Sequence, residues 1–534
     1  MKRILSVIIV LLLLLSGCVQ QKPPETVFWL DKVEDVGTFE GLEKFERYYD
    51  GYTDELIPSD KYGELIPFVG KILTASGDWP MTSQRYGLCT TDGKIVVDPV
   101  FENCSLMQAG DVSYYDLTYA KTIQEIETAQ ESEDYDMIGF PRSVLIRTDG
   151  SFCMELDEVT WAKAYTLENG EGRITVFKYS SGIYDGGLNF KVYDEEMELL
   201  YTLENLYDHP DFSDELVAVM HACEDYTAPS EMYYIDKDGN KVIDGSKFSQ
   251  IKSFSNGLAE VQNKENGLFG YIDTSGEYVI RPQFKWTYPF GKLGYANVRT
   301  NKGSFVIDAH GNRPLGDRIY EGGYLLEDGR VYNAGSQVNN LIDVISGDYL
   351  KCPICGKNSN ESKMDMDFLS EDEGIIYIYI HTNCDGKTGV FTSDGTIKEH
   401  VDYTNISVNI GIEGLDERYM FLRDTSNDMG CIMYDREKKE IVYTFENMYY
   451  NAALSGGNYV IKYYPDPENV SMEGQIPAYR IYVPGEGLDD EIYSFFNITK
   501  TADGEYYSVI TDDYSAVLDE EFNTVIKLSV TDND

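Results

Sequence analysis

Two short segments carry the residue types best suited to chemistry. Cys352-Pro353-Ile354-Cys355-Gly356-Lys357 sets two thiols on a glycine-turned loop with two residues between them, and His381-Thr382-Asn383-Cys384 sets an imidazole and a thiol at the same interval. Thiolate sulfur and imidazole nitrogen are the donors a tetrahedral Zn²⁺ takes, so Cys352, Cys355, His381 and Cys384 together would make a Cys₃His set. The stretch from Cys355 to His381 is long for one such site. A disulfide between two of these cysteines, or free thiols in a loop, are the other readings. Cys89 and Cys104 flank one hairpin and either pair near it or stay free, because sequence alone gives no Cα spacing.

Acidic doublets recur at turns: Glu371-Asp372-Glu373, Asp489-Asp490 and Asp512-Asp513. Oxygen-rich loops can hold Ca²⁺, but Asp365-x-Asp367 lacks the later ligands and the glycine of an EF-hand, and solvated turns account for the rest. Paired carboxylates also serve glycoside hydrolysis. With 92 acidic residues, chance pairs are unavoidable and identify nothing. The five histidines, His209, His221, His310, His381 and His400, are scattered. There is no His-Glu-x-x-His, no Gly-x-Ser-x-Gly and no phosphate loop. No catalytic residue is assigned on this sequence.

Cys18 is a different case. Lys2 and Arg3 precede an apolar run from Ile4 to Leu15, broken by Ser6, and Leu15-Ser16-Gly17-Cys18 is followed by the polar, stiff Val19-Gln20-Gln21-Lys22-Pro23-Pro24. A cationic start, a short apolar core and small residues at the cut form a secretory signal. The run is too short for a permanent span, which needs about 20 residues. Leu-Ser-Gly-Cys in this setting resembles the lipobox of bacterial lipoproteins. The resemblance implies cleavage after Gly17 and a thioether-linked diacylglycerol on Cys18, two acyl chains being enough for stable anchoring. No other stretch is long and apolar enough to span a membrane.

The composition bounds what such an exported body could do. Forty-four basic against 92 acidic residues give a net charge of −48, which repels nucleic acid and anionic head groups. Hydrophobic residues at 42 % and aromatics at 13 % allow a real core and exclude global disorder. Tyrosine dominates the aromatics with 43 copies, suiting strands in which the ring packs and the hydroxyl stays wet. Eight cysteines besides Cys18 are too dispersed for a small disulfide scaffold.

What positions these side chains is a repeat. Tyr86-Gly87-Leu88-Cys89-Thr90-Thr91-Asp92-Gly93-Lys94-Ile95-Val96-Val97-Asp98-Pro99-Val100-Phe101 aligns without a gap on Phe269-Gly270-Tyr271-Ile272-Asp273-Thr274-Ser275-Gly276-Glu277-Tyr278-Val279-Ile280-Arg281-Pro282-Gln283-Phe284. Residues 232–243 and 304–311 give further copies, and 144–150 and 389–395 weaker ones. Phe254-Ser255-Asn256-Gly257-Leu258-Ala259-Glu260-Val261 recurs, with one insertion, at 290–298. Turn glycines Gly239, Gly276 and Gly311 set periods of 37 and 35 residues. Each unit reads as a strand, a polar turn with a glycine at positive φ, a β-branched strand, and a proline that ends it. One hairpin is marginal alone, so such units stack in arrays.

These motifs resemble the WG β-repeat family, also called KWG repeats, with Phe269 and Tyr86 where the family has tryptophan. Residues 254–311 match closely and 86–101 well. The resemblance implies architecture and carries no common reaction. The expected fold is all-β, of repeated antiparallel units arranged propeller-fashion, with an open β-solenoid or meander as the alternative and minor helical insertions. The expected organisation is a signal peptide (1–17), a lipidated cysteine and linker (18–30), a mixed lead-in (31–85, with helical spacing in 31–62) and a repeat region (86–534). An amphipathic helix is expected within 117–137, from Ala120, Ile123, Ile126 and Ala129. The expected function is membrane-anchored, extracytoplasmic and non-catalytic: binding of a protein, peptide or glycan, with no nucleic acid. The alternative is an envelope hydrolase using carboxylates at a propeller-like mouth.

Overall fold

The computed structural model describes residues 63–529 with internal breaks, the longest at 74–81, 120–142, 402–409 and 465–476. The described residues form strands and turns and no helix. They build nine antiparallel sheets in chain order, spanning 65–156, 160–244, 248–284, 286–308, 324–343, 364–401, 410–446, 448–488 and 495–529. Within every sheet, neighbouring strands are also consecutive in the chain, so each sheet of the described residues is an antiparallel meander. The strand Leu65–Leu73, inside the stretch read as lead-in, is the edge of the first sheet and pairs with Thr82–Thr90 from Leu65↔Thr90 to Leu73↔Thr82. The expected helix loses its first residues to the strand Val112–Tyr119, where Leu117 is buried. The rest of that insertion, residues 31–62 and Cys18 lie outside the described residues.

Pairing register explains the aromatic-Gly…Pro-x-Phe motif and corrects one expectation. Pro282 does not end its strand, which runs Tyr278–Phe284. Phe269 pairs with Phe284 and Tyr271 with Ile280, so three residues, Arg281, Pro282 and Gln283, oppose the single Gly270. Pro282 sits in that bulge on an edge strand, where a missing N–H costs no ladder bond. Tyr86↔Phe101 and Leu88↔Val97 repeat the same offset around Pro99. Gly270 lies beneath the bulge: a Cβ there would meet the Ile280 carbonyl oxygen at 2.5 Å and the Pro282 nitrogen at 2.8 Å. Gly87 occupies the matching register position. Glycine and proline are thus two halves of one device, and Phe269, Phe284 and Phe101 are buried around it.

The turn has a second fixed element, its leading aspartate. Asp273 Oδ1 accepts the N–H groups of Ser275 (2.9 Å) and Glu277 (3.1 Å). Asp236 does the same for Asp238 and Asn240, and Asp308 for His310 and Asn312. Gly239, Gly276 and Gly311 follow at φ of 82°, 84° and 80°. The same carboxylate arrangement recurs at Asp194 and Asp519, with Met197 (φ 63°) and Phe522 (φ 64°) in the left-handed region, and a variant at Asp435 has Lys439 (φ 59°) there. Met197 and Phe522 also pack on core clusters, whereas Lys439 is exposed. Lys439→Gly is therefore expected to relieve backbone strain at no packing loss and to raise stability by about 1 kcal/mol, read as a higher denaturant midpoint. A lower midpoint would show that the turn does not strain Lys439.

Core clusters lie between sheets. Tyr234 and Ile243 of the second sheet pack on Ile251 and Val261 of the third; Ile280 and Phe284 of the third pack on Ala296 and Phe305 of the fourth. The pattern returns on itself. Ile66, Phe68 and Cys89 of the first sheet share a cluster with Tyr506, Val517 and Ile526 of the ninth. Tyr86 lies edge-on to Phe495, 6.2 Å between centroids, and the Ser508 and Ser515 hydroxyls donate to the carbonyls of Pro67 and Val69. No single sheet closes into a barrel, but the sheets pack round a circuit, as in a propeller rather than an open solenoid.

Tyrosines fasten this circuit in a way the wet-hydroxyl expectation did not foresee. Tyr114, Tyr234 and Tyr271 are fully buried. Each donates its hydroxyl to a carbonyl of the following unit, at Glu195 (2.7 Å), Lys252 (2.8 Å) and Tyr288 (2.8 Å). A buried ring contributes area, and its satisfied hydroxyl fixes the neighbour's position.

Candidate metal centre

The two cysteine-bearing segments meet. Cys352 and Cys355 lie on a tight loop after the last strand of the fifth sheet, Asn340–Asp343. The Cys352 N–H donates to the Lys357 carbonyl and the Gly356 N–H to the Cys352 carbonyl, both at 2.9 Å, with Gly356 at φ 79°. Glycine is needed there because the loop reverses through the left-handed region. His381 and Cys384 end the strand Gly374–Cys384 of the sixth sheet. The Asp385-Gly386 turn (φ 52° and 85°) returns the chain to Lys387–Thr392, as the two-residue hairpin code requires. A register shift between His381 and Cys384 turns both side chains to the same place.

One ligand atom from each of Cys352, Cys355, His381 and Cys384 falls within 4.8 Å of all the others. Cys352 Sγ and Cys384 Sγ are 3.7 Å apart, and Cys355 Sγ is 3.4 Å from His381 Nδ1. A disulfide needs about 2.05 Å between sulfurs, so none is formed. Bonds of about 2.3 Å to sulfur and 2.05 Å to nitrogen around a tetrahedral ion give edges of about 3.8 Å and 3.6 Å. The Cys352–Cys384 and Cys355–His381 edges, 3.7 Å and 3.4 Å, are close to those lengths. Cys352, His381 and Cys384 are buried and Cys355 is half-buried.

Neighbours hold the donors in form. His381 Nε2 is 2.7 Å from Ser362 Oγ, which leaves Nδ1 aimed at the sulfurs. Burial, and then the nearby Lys357 charge, lower the His381 pKa and favour the neutral ring. Burial pushes the Cys384 thiol up, helped by its hydrogen bonds with Cys355 and Cys352. At Cys355 burial also opposes the thiolate, but the Lys357 backbone N–H and the other two thiols outweigh it and lower its pKa. His400 Nε2 donates to the Cys384 carbonyl at 2.6 Å. Gly389 leaves room: a Cβ there would sit 3.1 Å from Cys384 Sγ. Ser362, His400 and Gly389 carry no spacing signal in the sequence and were not foreseen.

The other expected sites are not assembled in this way. Cys89 and Cys104 are unpaired, and burial pushes the Cys104 thiol up to about 12. Asp365 and Asp367 lie on the strand Met364–Glu371 opposite Ile380 and Ile378, and Asp367 accepts the Ile412 N–H at 2.8 Å. Asp489 accepts the Ile481 N–H at 3.0 Å. Among the described residues the Cys/His group is the one cluster of three or more ligating side chains. Asp372, Glu373, Asp512 and Asp513 lie outside the described residues. His310 sits in its repeat turn, His209 packs edge-on to Phe177 with 4.6 Å between centroids, and His221 faces the Tyr233 hydroxyl at 2.7 Å.

A family model for the WG containing repeat matches residues 234–266 and 269–303. No curated protein matches the chain. Among solved structures it is similar to a eukaryotic initiation factor, at 11 % identity over 79 % of this chain and 94 % of that one, with a TM-score of 0.35. Apo AztD from Citrobacter koseri is similar at 10 % identity over 73 % and 92 %, TM-score 0.24. The Neurospora crassa Pan2 WD40 domain is similar at 13 % identity over 54 % and 82 %, TM-score 0.17. At these scores the likenesses carry no argument about this chain.

Proposed function

We propose that this chain is a lipoprotein, exported and anchored through Cys18, whose WG-type repeats form a non-catalytic binding module for a protein, peptide or glycan at the cell envelope. The leader and the Leu-Ser-Gly-Cys segment support the anchor. The division of labour among the repeat's aromatics supports binding. Phe269, Tyr271 and Phe284 are consumed between sheets, whereas Trp286 and Tyr288, on either side of the buried Thr287, remain 47 % and 54 % exposed. Large amphipathic rings held on a rigid strand are the usual anchors of a recognition surface. The acidic surface selects against nucleic acid.

Cys18→Ala tests both parts. Cell fractionation is expected to move the protein from the envelope to the soluble exported fraction; unchanged sedimentation would overturn the anchor. The released protein then serves as bait for envelope extract or a glycan panel. A ligand held by the parent and lost from Trp286→Ala/Tyr288→Ala is expected. Equal retention by both, or none by either, would overturn the binding reading.

A further inference from the structure

We propose that Cys352, Cys355, His381 and Cys384 bind one Zn²⁺, and that this ion clamps the fifth sheet of the ring to the sixth. The inference stands apart from the binding reading above.

The clamp follows from where the cage lies. The fifth sheet has three strands, whereas the third and the sixth to ninth have four. After Asn340–Asp343 the chain adds no fourth strand. It makes two isolated bridges, Ile342↔Tyr349 and Lys351↔Asn358, and the cysteine loop closes between the members of the second. Ser359, fully buried, ties this segment back: its hydroxyl donates to the Leu341 carbonyl at 2.9 Å and accepts the Leu341 N–H at 3.2 Å. The loop therefore takes the place of an outer strand.

The junction it covers takes few fully buried side chains from the fifth sheet's strands, with Leu326, Leu350 and Ile354 packed half-buried against it. Of its buried cluster, only Leu341 comes from a strand of the fifth sheet. Cys352 comes from the loop, and Met364, Tyr377, Tyr379, Cys384 and Phe391 come from the sixth sheet. Direct links between the sheets are polar: the Tyr379 hydroxyl to Asp328, and the Tyr377 hydroxyl accepting the Glu327 N–H at 3.3 Å. Two ligands from the loop and two from the sixth sheet on one ion would supply the missing cross-link.

The donor set selects the metal class. Three sulfurs and one imidazole in a tetrahedral cage suit Zn²⁺ over the hard cations that need oxygen. Four protein ligands, three of them buried, leave no open position, so the ion is structural and not a Lewis acid for substrate. Its binding releases thiol protons and joins three thiolates that would otherwise repel. It also keeps Cys352 and Cys384, already neighbours, from oxidising to a disulfide.

The test uses the full-length chain purified without chelators. Elemental analysis is expected to find about one zinc per chain, and Co²⁺ exchanged into the site should give the intense visible ligand-field bands of a tetrahedral ion with sulfur-to-cobalt charge transfer. Cys355→Ser, at the half-buried ligand, should keep the fold and weaken zinc binding at least 10-fold. Chelation should speed amide exchange in 340–362 and 374–392 and leave the third sheet unchanged. Sub-stoichiometric metal after refolding with Zn²⁺, octahedral cobalt spectra, or a Cys352–Cys384 disulfide found by peptide mass mapping would overturn the site. Stoichiometric zinc whose removal leaves exchange at both segments unaltered would overturn the clamp.

Discussion

Gly270→Ala is expected to cost about 3 kcal/mol or more. The new Cβ would lie 2.5 Å from the Ile280 carbonyl oxygen, 2.8 Å from the Pro282 nitrogen and 3.0 Å from the Arg281 carbonyl carbon. All three are backbone atoms of the bulge, so no side chain can swing away. Relief requires the bulge to lift, which pulls Ile280 and Phe284 from their places against the fourth sheet. Gly257→Ala is the control. That glycine sits at φ 75° with nothing within 4 Å of an added Cβ, so only backbone strain of about 1 kcal/mol is expected. Pro282→Ala removes the rigid ring but keeps the bulge, and should cost no more than about 1 kcal/mol. Urea midpoints of the three variants decide the matter. If Gly270→Ala fell no further than Gly257→Ala, the close approach would not be what fixes this glycine.

That contrast also shows which parts of the fold were legible in the sequence. The copies legible in the sequence are those whose turn keeps a glycine, clearly at Gly93, Gly239, Gly276 and Gly311 and more weakly at Gly150 and Gly395. The units turning at Asp194, Asp435 and Asp519 were missed, because Met197, Lys439 and Phe522 hold the positive φ there. The feature these units share with those at Asp236, Asp273 and Asp308 is the aspartate whose carboxylate accepts two backbone N–H groups two to four residues on, as at Asp519 with Glu521 (3.1 Å) and Asn523 (2.7 Å). Aspartate is common in this chain, with 92 acidic residues in all, so its position carries little signal by itself. Residues 117–119, the start of the expected helix, belong to the strand Val112–Tyr119, while Ala120, Ile123, Ile126 and Ala129, which carry the helical spacing, lie outside the described residues. Both halves of the Cys/His cage were legible from donor spacing. Their meeting was not, because it depends on Met364 pairing with His381 and on the bulge before Cys384, which no local pattern records.

The second large effect concerns the join between the two ends of the chain, and Ile526→Ala is expected to cost about 2–5 kcal/mol. The argument rests on a contact that repeats. Seven residues after each leading aspartate stands an apolar side chain: Tyr201, Ile243, Ile280 and Ile526 follow Asp194, Asp236, Asp273 and Asp519. The turn glycine of the next unit packs on it. Gly239 faces Tyr201, Gly276 faces Ile243 and Gly311 faces Ile280. Gly93, in the first sheet, faces Ile526 and the Val525 carbonyl of the ninth in the same manner. The last unit thus meets the first through the contact that joins internal units, and Ile526 is fully buried there with Phe68 and Cys89. In an open array Ile526 would lie on an uncovered end face, and its truncation would cost well under 1 kcal/mol, as surface changes do. In a closed circuit it should cost what Ile280→Ala costs. Denaturant unfolding of the two variants side by side separates the cases. Near-equal losses fit closure, and a loss confined to Ile280→Ala would mean that the ends do not meet in solution. Closure adds a kinetic expectation: in Ile526→Ala, amide exchange should quicken in both the first and the ninth sheets, since each buries the other's face.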